Sequence, residues 1–168
     1  MVIYLIGPAG TGKTVVGRAL AARIGCPFVD ADDLHTDGAR ARMARGEALT
    51  DADRQPWLGR VRDAASRARA SDASGNAVVA CSALTRAYRD VLREGGGQVR
   101  FLALDVEPAE LRRRVADRAA TTGHFMPASL VDDQMRTWQP PGPAEPDAVV
   151  LPGAGAIADI VESALRSV

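Results

Sequence analysis

The sequence has no excess of charge of either sign, with lysine plus arginine and aspartate plus glutamate both at 21. Without a net field there is no general attraction to nucleic acid or to an anionic membrane surface, and neither is expected as a partner. Cysteine is scarce: Cys26 and Cys81 show no metal-ligand or redox spacing, and each sits beside an apolar run. They read as small buried residues of a reducing compartment. Histidine is equally scarce, and His35 and His124 have no third ligand at a metal-binding spacing. No apolar run approaches the ~20 residues of a membrane-spanning helix. The chain passes straight into an apolar run at Val2 with no charged leader, so a cytoplasmic protein is expected. Internal repeats and linkers are missing too, and 168 residues at 46% hydrophobic content suffice for one core.

Against this spare background one stretch stands out, Gly7-Pro8-Ala9-Gly10-Thr11-Gly12-Lys13-Thr14. It fits G-x-x-x-x-G-K-[ST], a loop whose backbone N–H groups wrap a phosphate. The context fits as well. Val2–Ile6 is a β-branched apolar run suited to a buried parallel strand, and residues 15–24 carry Val16, Leu20 and Ile24 on one helical face. Residues Gly7 to Val15 are therefore expected to bind the phosphates of ATP at a helix N-terminus. Lys13 would supply charge to the β- and γ-phosphates, and the Thr14 hydroxyl is placed to ligate Mg²⁺.

Apolar runs recur at residues 27–30, 77–81, 99–104 and 148–151, separated by helical stretches near 38–45, 51–70, 84–94, 108–119, 128–138 and 157–165. Alternation of this kind predicts an α/β fold, a single P-loop kinase domain over residues 1–168. Its five-stranded parallel sheet would carry helices on both faces. The polar, glycine-bearing stretch Ala120–His124 is a candidate lid, about residues 118–127, and Pro140–Pro146 a stiff connector.

In such a sheet the strand C-termini line the ligand crevice. Asp30-Ala31-Asp32 and Cys81-Ser82-Ala83-Leu84 fall at such ends. A carboxylate there can hold metal-bound water or position an acceptor hydroxyl, or it can simply cap the next helix. Ser82 is open to the same two readings. Arg112-Arg113-Arg114 reads as a solvated helix face.

Taken together, Asp30-Ala-Asp-Asp-Leu-His35, Met43-Ala-Arg-Gly46, Asp53-Arg54-Gln-Pro56-Trp57-Leu58, Cys81-Ser82-Ala83-Leu84, Tyr88-Arg89-Asp90 and Gly123-His124-Phe125-Met126-Pro127 with Gln134 resemble the gluconokinase family. The likeness spreads from residue 7 to about residue 141. It implies ATP-dependent phosphorylation of D-gluconate to 6-phosphogluconate, the fold of shikimate and adenylate kinases with sheet order 2-3-1-4-5, and a homodimer. The sequence differs from the family pattern at His35-Thr36-Asp37-Gly38-Ala39, where His-Pro-x-x-Asn is usual, at Ala48, and within the lid.

On this resemblance Lys13, Asp32 and Arg118 are the expected catalytic residues, with Arg118 closing on ATP. Asp30 joins Thr14 at Mg²⁺, and Asp32 contacts the acceptor hydroxyl. His35, Arg54, Ser82 and Arg89 complete the substrate set; an anionic sugar acid calls for a guanidinium, which Arg54 or Arg89 could supply. Two other functions would leave different marks. A shikimate-like acceptor would come without Asp53-Arg54-x-Pro56-Trp57-Leu58, and a non-catalytic nucleotide-binding regulator without Lys13, Thr14 or the aspartates.

Overall fold

The strands β1 (Val2–Ile6), β2 (Phe28–Asp30), β3 (Ala77–Ala80), β4 (Val99–Asp105) and β5 (Ala148–Pro152) form one parallel sheet. Their order is β2-β3-β1-β4-β5, as the family resemblance implies. The computed structural model describes residues 1–122 and 128–168; residues 123–127, and the side chains of residues 118–129, lie outside the description. The expected lid, with Arg118 and His124, therefore falls on side chains that are not described.

Residues alternate across the sheet with the two-residue period of a strand. Tyr4, Val79 and Phe101 face one layer, where α3 (Asp51–Ser71) and α4 (Arg86–Arg93) contribute Trp57, Leu58, Val61 and Leu92. Ile3, Leu5, Val78 and Leu102 face the other, covered by α1 (Lys13–Ile24) and α7 (Ile157–Leu165) through Val16, Leu20, Ile160 and Val161. Burial on both faces is why β1 and β3 read as unbroken apolar runs rather than alternating ones. A smaller cluster of Val106, Leu111, Val115 and Val131 joins α5 (Pro108–Thr122) to α6 (Ala128–Thr137).

Register decides what meets at the crevice. Leu5 pairs with Ala80, and Asp30 pairs with the same Ala80. The phosphate loop, Asp30 and Ser82 thus leave the sheet side by side. After β2 the chain enters a 3₁₀ turn (Ala31–Leu34) and then α2 (Asp37–Ala44). The long helix α3 opens with a capping box, in which the Thr50 and Asp53 side chains each accept from the other's backbone N–H.

Helix α4 starts at Arg86, later than residue 84 as the sequence suggests, because Thr85 is its cap and accepts from the Tyr88 N–H at 3.2 Å. Residues 81–84 are thereby left as an irregular segment at the crevice. At the other end, α5 continues to Thr122, past the expected stop near residue 119.

Candidate active site

Gly7 and Gly10 adopt φ of 134° and 86°, and a Cβ at Gly10 would lie 3.1 Å from both the Leu111 carbonyl and Val115. Only glycine lets the loop curl there without strain or clash. Thr11, buried, donates its hydroxyl to the Pro8 carbonyl at 3.0 Å, and Lys13 Nζ donates to the same carbonyl at 2.8 Å. Gly12 caps α1 with no side-chain bond to its first turn. The leading N–H groups of α1 thus stand at the cleft with the positive helix end behind them, the arrangement that holds an anion. Pro8 and Thr11 shape the loop from within, whereas Ala9, Gly10, Gly12, Lys13, Thr14 and Val15 line the cleft.

Next to the loop, the Thr14 hydroxyl donates to Asp30 Oδ2 at 3.0 Å, while Asp30 Oδ1 accepts the Asp32 N–H at 3.2 Å. Asp30 therefore caps the 3₁₀ turn, one of the readings that the sequence left open, and also accepts from the Thr14 hydroxyl. Hard oxygen donors paired in this way beside a phosphate loop suit Mg²⁺, which takes one or two protein oxygens and leaves its other positions to phosphate and water. The turn is fixed from α3, where Trp57 Nε1 donates to the Ala31 carbonyl at 2.8 Å and Arg60 Nε to the Leu34 carbonyl at 3.0 Å.

The cleft has a volume of about 430 Å³ and runs from the loop to a second wall that includes Asp32, His35, Arg54, Trp57 and Ser82. His35 stacks on Trp57 with ring centroids 4.5 Å apart, and its buried Nδ1 has no hydrogen-bond partner among the described residues. Burial, reinforced by Arg40, Arg60 and Arg54, pushes its pKa down to about 4, so the ring is neutral at physiological pH. Arg54 Nη1 donates to the Tyr88 hydroxyl at 3.2 Å, and that hydroxyl donates to Asp51. Desolvation, followed by the Asp51 contact, raises the Tyr88 pKa and keeps the phenol protonated.

Arg89 is not brought to this wall, which corrects its expected place in the substrate set. Its side chain is 1% exposed and forms a two-pronged pair with Glu145, at 2.8 and 2.5 Å. The partner sits on the connector before β5, too far along the chain for spacing to reveal. Arg114 departs from expectation in the opposite direction. Arg112 and Arg113 lie exposed as expected, but Arg114 turns inward to line the cleft, bonding the Gly153 carbonyl at 3.2 Å and Glu110 at 2.7 Å. Gln134 was also not among the expected site residues, and its Oε1 accepts the Ala9 N–H at 2.7 Å, joining α6 to the phosphate loop.

A parallel sheet in this order, with a lysine-bearing phosphate loop facing a second, polar wall across one cleft, defines a P-loop kinase of small molecules. Comparison with known proteins narrows the class. A family model described as an AAA domain matches residues 2–141. The chain is 37% identical over 164 residues to the thermosensitive gluconokinase of Escherichia coli K12, covering 98% of this chain and 85% of that protein. It is 42% identical over 144 residues to the gluconokinase of Gluconobacter oxydans 621H, covering 86% and 78% respectively. The crystal structure of a gluconokinase from Sinorhizobium meliloti 1021 superposes with a TM-score of 0.84 at 38% identity, covering 99% of this chain and 90% of that one. The chain belongs to the gluconokinase family.

Proposed function

We propose that the protein transfers the γ-phosphoryl group of ATP to the 6-hydroxyl of D-gluconate, giving 6-phosphogluconate and ADP. One observation carries this reading: a single cleft joins Lys13 and the Thr14–Asp30 pair to a wall holding a carboxylate, a neutral imidazole, a hydroxyl and a guanidinium. Those groups match a polyhydroxylated carboxylate, with Arg54 for the acid end and His35 and Ser82 for hydroxyls.

In the transfer, a bond forms from the 6-oxygen to the γ-phosphorus as the bond to the β,γ-bridging oxygen breaks, and the hydroxyl proton leaves toward Asp32. The transition state is loose, so Asp32 contributes mainly by orienting the hydroxyl. Lys13 shifts its charge from the Pro8 carbonyl to the phosphoryl oxygens, and the N–H groups at the start of α1 add their dipole. Thr14 and Asp30 would hold Mg²⁺, which neutralises charge on the phosphates when bound. Arg114 is placed at the nucleotide end between the phosphate loop and the Gly153 turn. Arg118, whose side chain lies outside the description, is assigned on the family resemblance to close on ATP.

Cytoplasmic location and a homodimer belong to the same reading. The homodimer rests on the family resemblance and the location on the sequence, and no helix among the described residues is long and apolar enough to cross a membrane.

ATP consumption with Mg²⁺ across D-gluconate, shikimate, glycerate, AMP and no acceptor tests the proposal. A gluconate-dependent rate that disappears in Lys13→Ala supports it. ATP binding with no stimulation by gluconate would sink the acceptor assignment and direct attention to the unusual segment His35–Ala39.

A further inference from the structure

Ala83 has a φ of 36°, and no other non-glycine residue among those described has a positive value. An L-residue with a Cβ is disfavoured there, and such a conformation persists at functional sites where the surroundings hold it. Ala83 is fully buried, and its carbonyl accepts from Arg89 Nη1 at 3.2 Å. The same nitrogen donates to the Gln139 carbonyl at 3.0 Å. Nε and Nη2 of Arg89 form the pair with Glu145, which Arg93 also contacts at 2.8 Å. The two arginines, Arg89 first, hold the Glu145 carboxyl down at about 2, so the anchor stays ionised.

The segment that contains Ala83 is tied on both sides of it. The Ser82 carbonyl accepts the Gly7 N–H at 3.1 Å, and the Leu84 carbonyl accepts the Gln139 N–H at 2.9 Å. Ser82 and Leu84 both line the cleft. A buried pair of this kind yields little net stability over apolar packing, but a planar fork fixes direction closely.

We propose that Arg89 is a positioning residue: by gripping the Ala83 carbonyl it holds residues 82–84 in the conformation that presents Ser82 to the acceptor and docks it on Gly7 of the phosphate loop. Arg89 itself touches neither substrate. The kinetic half of the test rests on the kinase reading given above; the structural half does not.

Arg89→Lys keeps a positive charge against Glu145, but one ammonium cannot span both the carboxylate and the Ala83 carbonyl. KM for D-gluconate is expected to rise about tenfold, the scale of one lost hydrogen bond, with KM for ATP changed by less than about twofold. Amide hydrogen exchange at Gly7 and residues 82–85 should quicken by a similar factor, with α7 unaffected. Adding Ala83→Gly makes a positive φ easy to adopt, so KM should return toward the wild-type value. If Arg89→Lys yields no folded protein, Glu145→Asp, which draws the fork back by one methylene, is read in the same ways. Unchanged exchange at Gly7 and residues 82–85 would overturn the proposal, as would gluconate and ATP constants that move together without glycine rescue. Absence of gluconate turnover in the wild-type protein would remove the assignment of function, and the exchange result would still decide the role of Arg89.

Discussion

Replacing Arg54 with alanine should weaken gluconate and spare ATP. The Arg54 side chain is 19% exposed on the wall across the cleft from the phosphate loop, and it donates to a neutral phenol, Tyr88, at 3.2 Å. Asp51 approaches to 3.7 Å but is 80% exposed, so water screens that pair and the guanidinium keeps most of its pull on an incoming anion. A hydrogen bond to a charged group contributes about 1.5–3 kcal/mol, and each ~1.4 kcal/mol is tenfold in affinity. KM for gluconate should therefore rise by about 10- to 150-fold. Arg54→Lys, with charge but no fork, should fall between the two. The fold loses the contact to Tyr88, about 1 kcal/mol, and the screened pair with Asp51, so melting should drop by no more than a few degrees. A coupled assay for ADP, run at saturating ATP and then at saturating gluconate, separates the two constants. An unchanged KM for gluconate, or a parallel rise for ATP, would refute the assignment of Arg54 to the carboxylate.

Three further outcomes follow from the same geometry. Tyr88→Phe removes the hydroxyl that orients Arg54 and should raise KM for gluconate by about 3- to 10-fold, yet add almost nothing in an Arg54→Ala background; additive effects in that double-mutant cycle would separate the two residues. Asp30→Asn removes the carboxylate facing Thr14, so the Mg²⁺ needed for half-maximal rate at fixed ATP should rise about tenfold or more, and a titration overlying the wild type would dissociate Asp30 from the metal. His35 has a folded pKa near 4 against an ordinary 6.5, so the unfolded chain takes up its proton first as the solution is acidified. Its contribution to stability is present above pH 6.5 and is lost as pH falls toward 4. Chemical denaturation across that window should show a slope that flattens in His35→Asn, and an equal slope in both proteins would contradict the burial argument.

Much of this architecture could be read from the chain, and what escaped has a common cause. Strands such as Val2–Ile6 and Ala77–Ala80 announce themselves because burial on both faces demands continuous apolar residues. The phosphate loop is equally legible, since its glycines and lysine are needed at fixed local spacing. Arg54 and Arg89, by contrast, look alike in sequence, each in a polar motif ahead of an apolar helix face. What separates them is Glu145, which reaches Arg89 from the connector before β5 and withdraws it from solvent. Arg114 was hidden for a similar reason: within a run of three arginines, only tertiary packing selects the one that faces Gly153. Gln134 lies on a helix remote in sequence from the loop whose Ala9 N–H it accepts, so its contact is not visible in any local pattern. Local rules place elements and loops; partners that meet across long sequence separations decide which polar side chains reach the cleft.

Which atom receives the phosphoryl group is reported directly by ³¹P NMR of the product. With ATP, Mg²⁺ and D-gluconate, the product should give a phosphomonoester signal split into a triplet by the two protons on carbon 6, absent in Lys13→Ala and accumulating far more slowly in Asp32→Asn. A doublet, marking transfer to a secondary hydroxyl, or inorganic phosphate beside ADP with no phosphomonoester signal, would contradict the proposed transfer.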